Sequence, residues 1–190
     1  MQLRLPALLV AVGAVVALNG CGDGTGIKPQ FPNFDVQDTL YAMSGVSAQA
    51  PAALLVRDAG PKRVDGNLNF DVAFDIDSNN NVVLYTQRRI TTQLVQGHRV
   101  GLQLSTDAFE VITHGPIGGY TYDSLLTVPL NRTVLIDVVD PTCGVLSFLG
   151  PNIKAKMTVD SIGPQRQIYI HVLVDPNCGF TGLSTGTPKD

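Results

Sequence analysis

The chain has 190 residues, a formal net charge of −3 and no tryptophan. It contains no run or excess of basic residues of the kind that marks nucleic-acid-binding proteins, so we predict no nucleic-acid partner. Nearly all of the acidic residues are aspartate, and Asp, Asn, Gly and Pro are typical of turns rather than helices, which favours an all-β protein.

The amino-terminal segment has the pattern of an export signal. Arg4 precedes an apolar run over residues 5–18. This run is too short to span a membrane, because a membrane-spanning helix requires about 20 apolar residues. A basic residue, a short apolar core and small residues after it are typical of a cleaved signal peptide. We therefore expect residues 1–20 to be removed and to take no part in the fold.

The end of this segment resembles the lipobox of bacterial lipoproteins. In the stretch Leu18-Asn19-Gly20-Cys21, leucine, glycine and cysteine stand where that family has them, although a small or branched apolar residue is more usual in place of Asn19. The resemblance implies that cleavage exposes Cys21, which then carries a lipid anchor. Residues 21–33 would be the lipidated cysteine and a flexible tether, because glycine-rich chain stays mobile. The alternative is ordinary secretion with cleavage after Ala17.

The same resemblance implies a location. A lipidated cysteine would attach the protein to a membrane of the bacterial cell envelope. Gly22 follows the cysteine, and by analogy with that family this implies the outer membrane, facing the periplasm or the cell surface.

Residues 34–190 are predicted to form one domain. Short apolar stretches with turns about every ten residues predict an antiparallel β-sandwich of about eight to ten strands, and a small closed barrel is the alternative. We expect residues 60–63 to form a turn. The predicted strands are residues 34–43, 54–57, 68–76, 82–90, 99–105, 109–113, 120–130, 133–139, 154–162 and 168–174.

The clearest pattern is the strict alternation over residues 68–76. The apolar residues from Leu68 to Ile76 at every second position should face the core, and Asp71 and Ala73 between them should face water. The partner strand over residues 82–90 would place Arg88 and Arg89 on opposite faces.

The turn between these two strands admits two interpretations. Asp75, Asp77, Asn79 and Asn81 stand at alternate positions, as oxygen ligands do at the start of a calcium loop. However, Thr86 occupies the place of the bidentate glutamate of such a loop, and Asp and Asn also suit hairpin turns. We favour the turn, and the sequence leaves calcium binding open.

The sequence contains no motif that identifies a catalytic, metal-binding or cofactor-binding residue. His98, His114 and His171 occur in unlike contexts, and His171 lies in an apolar strand, where a packed histidine with a hydrogen-bonding partner is commoner than a ligand. Neither a nucleophile elbow nor a phosphate-binding loop is present. We therefore predict no catalytic residues, no metal and no cofactor.

Two copies of one short motif stand near the end of the chain. VDPTCG occupies residues 139–144 and VDPNCG residues 174–179, and each copy ends an apolar strand. Outer strands of a three-stranded meander lie about 9.5 Å apart, which is too far for a disulfide unless the turns curl together. In an oxidising compartment, with Cys21 acylated, Cys143 and Cys178 remain to pair. We predict a structural disulfide between them.

These features lead to three hypotheses for function. The first is a lipid-anchored, non-enzymatic envelope protein with a structural or binding role, whose partner besides the membrane is unknown. The second is a carrier of a small ligand in the lumen of a barrel, and the third is an envelope hydrolase.

Overall fold

The strands of the protein form two antiparallel sheets that pack face to face. The structure, a computed structural model, describes residues 27–65, 68–93, 95–143 and 149–188. Its strands are β1 (Phe34–Tyr41), β2 (Ala53–Leu55), β3 (Gly60–Lys62), β4 (Val72–Ile76), β5 (Val82–Thr86), β6 (Arg99–Leu104), β7 (Thr121–Tyr122), β8 (Leu125–Val128), β9 (Thr133–Val139), β10 (Asn152–Ile162) and β11 (Gln167–Asp175). The predicted β-sandwich is confirmed.

One sheet has the strand order β1-β11-β10-β9-β6-β7 and the other the order β3-β2-β4-β5-β8. Each sheet has two edge strands, so within the described residues the strands do not close into a barrel. The barrel alternative is therefore wrong. Because β9, β10 and β11 follow one another in the sheet, the predicted meander is also confirmed.

The core lies between the two sheets. Alternate residues of each strand face it, as the pleat of a strand requires. Among the fully buried side chains are Phe74 and Leu84 from the five-stranded sheet and Ile136, Met157 and Ile170 from the six-stranded sheet. Among the described residues, no helix is long and apolar enough to cross a membrane.

Two predicted strands are interrupted by helical turns. The chain leaves β5 after Thr86 and forms the one-turn helix α1 (Gln87–Ile90). Arg88 and Arg89 are both exposed on it, so the prediction that they face opposite sides of a strand was wrong. Residues 109–113 form a 3-10 turn over Phe109–Val111 instead of a strand, because Phe109 and Ile112 both pack against the sheet at the spacing of such a turn.

Two turns lie where the sequence does not predict them. The predicted turn at residues 60–63 is mostly strand β3, because Ala59, with a φ of 47°, reverses the chain earlier. The predicted strand over residues 120–130 is two strands in different sheets, β7 and β8. The chain crosses between the sheets at Asp123, which has a φ of 54°.

The alternation over residues 68–76 holds only in β4. Val72, Phe74 and Ile76 face the core, but Phe70 packs with Ala73 in a separate cluster on the outer face of the five-stranded sheet. Asp71 is 2% exposed and accepts a hydrogen bond of 2.7 Å from the Val56 N–H. The prediction that Asp71 and Ala73 face water was wrong, because neighbouring segments cover this face.

The outer face of the six-stranded sheet carries a buried polar layer. Lys154 and Lys156 of β10 are each 4% exposed. Lys156 Nζ donates 2.7 Å hydrogen bonds to the carbonyls of Phe109 and Ile112, and Lys154 Nζ donates one of 3.0 Å to that of Pro116. The two lysines thus hold the segment over residues 109–116 against the sheet.

Asp137 is the acidic centre of this layer. It is 1% exposed, and its carboxylate lies 3.0 Å from Lys154 Nζ and accepts hydrogen bonds from Asn152 and from the Tyr122 hydroxyl. Burial, the hydrogen bond to Asp137 and the negative charge of Asp137 raise the pKa of Tyr122 to about 12. A buried charge that is fully paired in this way does not carry the cost of an isolated one.

We predict that Lys156→Met destabilises the protein, because two buried carbonyls lose their donor. The expected loss of unfolding free energy is about 3 kcal/mol, measured by urea unfolding followed by circular dichroism. The exposed Lys28→Met is the matched control and should unfold as the wild type does. Equal unfolding midpoints for the two variants would contradict this assignment.

The raised pKa of Tyr122 predicts that the protein loses stability at alkaline pH. An unfolded tyrosine releases its proton near pH 10, whereas folded Tyr122 keeps its proton until about pH 12. The unfolded state binds fewer protons in this interval, so the unfolding free energy falls as the pH rises. In Tyr122→Phe this fall should be smaller. Burial also lowers the pKa of Lys156 and raises that of Tyr120, but both residues are present in the wild type and in the variant. Identical pH profiles from urea unfolding between about pH 9 and 12 would disprove the role of Tyr122.

Candidate functional site

The two VDPxCG motifs meet at one end of the sandwich. β9 and β11 lie on either side of β10 and run in the same direction, so the turns that follow them emerge at the same end. The turns curl towards each other, and Cys143 and Cys178 form a disulfide with their Cα atoms 5.5 Å apart. The predicted pairing is therefore present in the structure.

The aspartate of each motif stabilises its turn in the same way. Asp140 Oδ1 accepts hydrogen bonds from the Thr142 N–H and hydroxyl, at 2.8 and 2.7 Å. Asp175 Oδ1 accepts from the Asn177 N–H and side-chain amide, at 2.9 and 2.7 Å. This local bonding between an aspartate and the residue two positions later is typical of turns.

The position at which the two motifs differ has a second role. Asn177 is 5% exposed, and its Oδ1 accepts the N–H groups of Gln30 and Phe31 at 2.8 and 2.9 Å. Its side-chain amide also donates to the Phe31 carbonyl at 2.8 Å. Within the described residues, Thr142 of the first motif makes no such contact and instead accepts a hydrogen bond from Arg57. Asn177 therefore fixes the chain that precedes β1 to the disulfide end of the sandwich.

Arg57 connects the other sheet to the disulfide. It follows β2, and its guanidinium reaches the two turns. Nη1 donates to the Thr142 hydroxyl at 2.9 Å, and Nη2 lies 3.2 Å from Asp140 Oδ2. Nη2 also lies 2.9 Å from the sulfur of Cys143 and 3.4 Å from that of Cys178. One cation therefore contacts both turns and both sulfurs.

These elements enclose an open groove of about 750 Å³, which we call the aromatic groove. Its apolar lining consists of Ile27, Phe31, Phe34, Pro176 and Phe180, with Cys178 beside them. Ile27, Phe31 and Phe34 are 42%, 56% and 39% exposed and line the same groove, and apolar side chains that are exposed together, unlike single ones, are typical of interaction surfaces. Volume and lining fall in the range of small-molecule sites, about 300–1,000 Å³ and mostly apolar.

Charged groups stand at the rim of the aromatic groove. Lys28 and Asp58 are exposed there, and Arg57 lies beside them, balanced by Asp140. No motif in the sequence assigns any of these residues to a site. The only signal was the unusual pair of aromatic residues, Phe31 and Phe34, in a polar and proline-containing segment. Their convergence with Phe180 depends on the tertiary structure.

A second, smaller cavity of about 330 Å³ lies over the outer face of the six-stranded sheet. Asp35 and His171 line it, with His171 Nε2 and Asp35 Oδ1 2.5 Å apart. The His171 ring packs on the Phe109 ring at 4.2 Å between centroids, and Lys156 Nζ lies 4.4 Å from the centroid of the Phe109 ring. Burial lowers the pKa of Lys156, although the charges of Asp35 and Glu110 oppose this shift.

The three histidines do not converge. His98 Nε2 lies 3.0 Å from buried Asp71, His114 is bonded to the Thr113 hydroxyl, and His171 pairs with Asp35. No group of three or more His, Cys, Asp or Glu suited to a metal occurs in the described part of the chain. His171 therefore has the packed, hydrogen-bonded environment that its apolar strand indicates.

The turn over residues 77–81 is built by its own aspartate. Asp77 Oδ1 accepts the N–H groups of Asn79 and Asn81 at 2.9 and 2.8 Å, and these bonds lower the pKa of Asp77. Asp75 instead accepts from the Ser44 hydroxyl and lies 3.1 Å from Arg166. The two carboxylates thus serve different partners.

The predicted lipid anchor, Cys21, lies outside the described residues, as does the signal segment before it. No family model, curated protein or solved structure matches the chain. Any assignment of function therefore rests on its own residues.

We predict that Asp77→Ala lowers the melting temperature, because the N–H groups of Asn79 and Asn81 lose the carboxylate that accepts their hydrogen bonds. The decrease should be equal in calcium and in a calcium chelator, because the carboxylate acts on backbone N–H groups. Melting curves recorded in both solutions measure it. A wild-type melting temperature that calcium raises, and an Asp77→Ala variant that calcium does not affect, would favour a calcium site instead.

Proposed function

We propose that the protein is a lipid-anchored component of the bacterial cell envelope, in the outer membrane, with a binding rather than a catalytic role. The lipobox-like stretch at residues 18–21 supports the anchor. The observation that carries the binding role is the aromatic groove, which is open, largely apolar and has a volume of about 750 Å³. Its occupant would be an acyl chain of a lipid in the membrane that holds the anchor.

The position of the groove relative to Cys21 supports this occupant. Ile27 lines the groove and is the sixth residue after Cys21. Six residues span at most about 22 Å when fully extended. An acylated Cys21 would therefore hold Ile27, and with it this side of the aromatic groove, within about 22 Å of the membrane surface.

The chemistry of the lining also fits an acyl chain. Phe31, Phe34 and Phe180 offer flat apolar surface, and each methylene that leaves water contributes about 0.8 kcal/mol. Lys28, Arg57 and Asp58 lie at the rim, where a polar headgroup would remain hydrated. An amphiphile therefore fits the groove better than a fully polar ligand would.

The carrier hypothesis placed the ligand in the lumen of a barrel, and this fold has no such lumen among its described strands. A β-sandwich encloses a packed core, so a ligand binds on its surface. The binding site that we propose is therefore external and lies at the disulfide end.

We predict that purified Cys21→Ser protein binds a dansyl-labelled fatty acid and that Phe31→Glu weakens this binding at least about tenfold. The reason is that losing the burial of one phenylalanine costs about 1.5–3 kcal/mol. Ile117→Glu is the matched control, because Ile117 is 94% exposed and does not line the groove. Fluorescence titration gives the three affinities.

Fractionation of cells tests the anchor separately. The wild type should be in the membrane fraction and should incorporate radiolabelled palmitate, whereas Cys21→Ser should incorporate none. If both proteins are soluble, the anchor is wrong even where the fatty acid binds. If Phe31→Glu and Ile117→Glu bind the probe as the wild type does, the groove is not the site.

A further inference from the structure

We propose that Cys178 is a thiol-exchange site, at which a small thiol can form a mixed disulfide within the aromatic groove. This inference goes beyond the proposed function, because it does not depend on acylation of Cys21. It rests on the unequal surroundings of the two sulfurs and on the position of Arg57.

The two cysteines differ in access. Cys143 is 0% exposed and belongs to the core cluster between the sheets. Cys178 is only partly buried and lines the groove. An attacking thiolate must approach a sulfur directly, and the rate of exchange depends on which sulfur is accessible. The groove therefore directs a thiol to Cys178.

Arg57 favours attack on Cys178 with Cys143 as the leaving group. Its Nη2 lies 2.9 Å from the sulfur of Cys143, closer than the 3.4 Å to that of Cys178. Attack on Cys178 displaces Cys143 as the leaving group, and a neighbouring cation stabilises a thiolate. A better-stabilised leaving thiolate departs faster. Arg57 thus lies closest to the sulfur on which negative charge develops.

Thiol exchange at this disulfide proceeds in two steps. A thiol first loses its proton to water, and its sulfur bonds to Cys178 while the bond between Cys178 and Cys143 breaks. The electron pair of that bond remains on Cys143 as a thiolate. A second thiol can then attack the mixed disulfide, which releases Cys178 and yields the disulfide of the small thiol, with two electrons transferred to the protein.

Modification would affect the groove directly. A group attached to Cys178 would lie among the apolar lining residues, and Asn177 next to it holds Gln30 and Phe31 in place. Thiol exchange at this position would therefore compete with an acyl chain for the same space.

Reduced glutathione is a suitable probe for the folded, oxidised protein. After acid quenching, peptide mass spectrometry should locate the first glutathione on Cys178. Arg57→Met should slow the reaction about fivefold or more, whereas Arg57→Lys, which keeps the charge, should be closer to the wild type. Asp140→Asn, which removes the carboxylate that balances Arg57, should not slow it.

Arg63→Met is the control for loss of an arginine, because Arg63 pairs with Asp65 at 2.6 Å, away from the disulfide. Its rate should equal that of the wild type. Two results would overturn the proposal: glutathione first on Cys143, or equal rates for Arg57→Met and Arg63→Met. A variant that has lost its folded structure exposes both sulfurs. It is recognised because glutathione attaches rapidly to Cys143 as well as to Cys178.

Discussion

The disulfide between Cys143 and Cys178 requires two turns from non-adjacent strands to meet over the end of β10. In the chain-entropy model, closing this 35-residue loop stabilises the fold by about 4 kcal/mol. The closure also creates the surface on which Arg57 and the chain before β1 rest. The features assigned to function therefore lie at one end of the sandwich and depend on this crosslink.

Arg57 and Asn177 bring the walls of the aromatic groove together beside the disulfide. Arg57 reaches it from the five-stranded sheet, and Asn177 ties the segment with Phe31 to the six-stranded sheet. The groove walls thus come from three separate parts of the chain. The same geometry places the sulfur of Cys178 in the groove and that of Cys143 in the core, so the proposed thiol exchange would take place inside the proposed binding site.

Sequence patterns predict the parts of this protein that local rules control. Strands such as β9 and β11, the paired turns and the disulfide follow from apolar stretches, proline and the expected oxidising compartment. Short segments such as residues 109–113 were predicted wrongly, because a few alternating residues suit a strand and a 3-10 turn equally.

Contacts between distant segments escape such rules. A lysine in a strand indicates an exposed face, yet Lys154 and Lys156 are buried because they donate hydrogen bonds to the backbone carbonyls of a loop. The groove is a similar case, since Phe31 and Phe180 are far apart in sequence and line one groove beside Asn177 and the disulfide. Nothing in the local sequence identifies Arg57 as their neighbour.

Amide hydrogen exchange in an Asn177→Ala variant tests most directly whether the second motif holds the groove wall. The Gln30 and Phe31 amides should lose protection, because their acceptor is the Asn177 side chain. Amides of β10 and β11 should keep theirs, which shows that the fold persists. Unchanged protection at Gln30 and Phe31 would contradict the account.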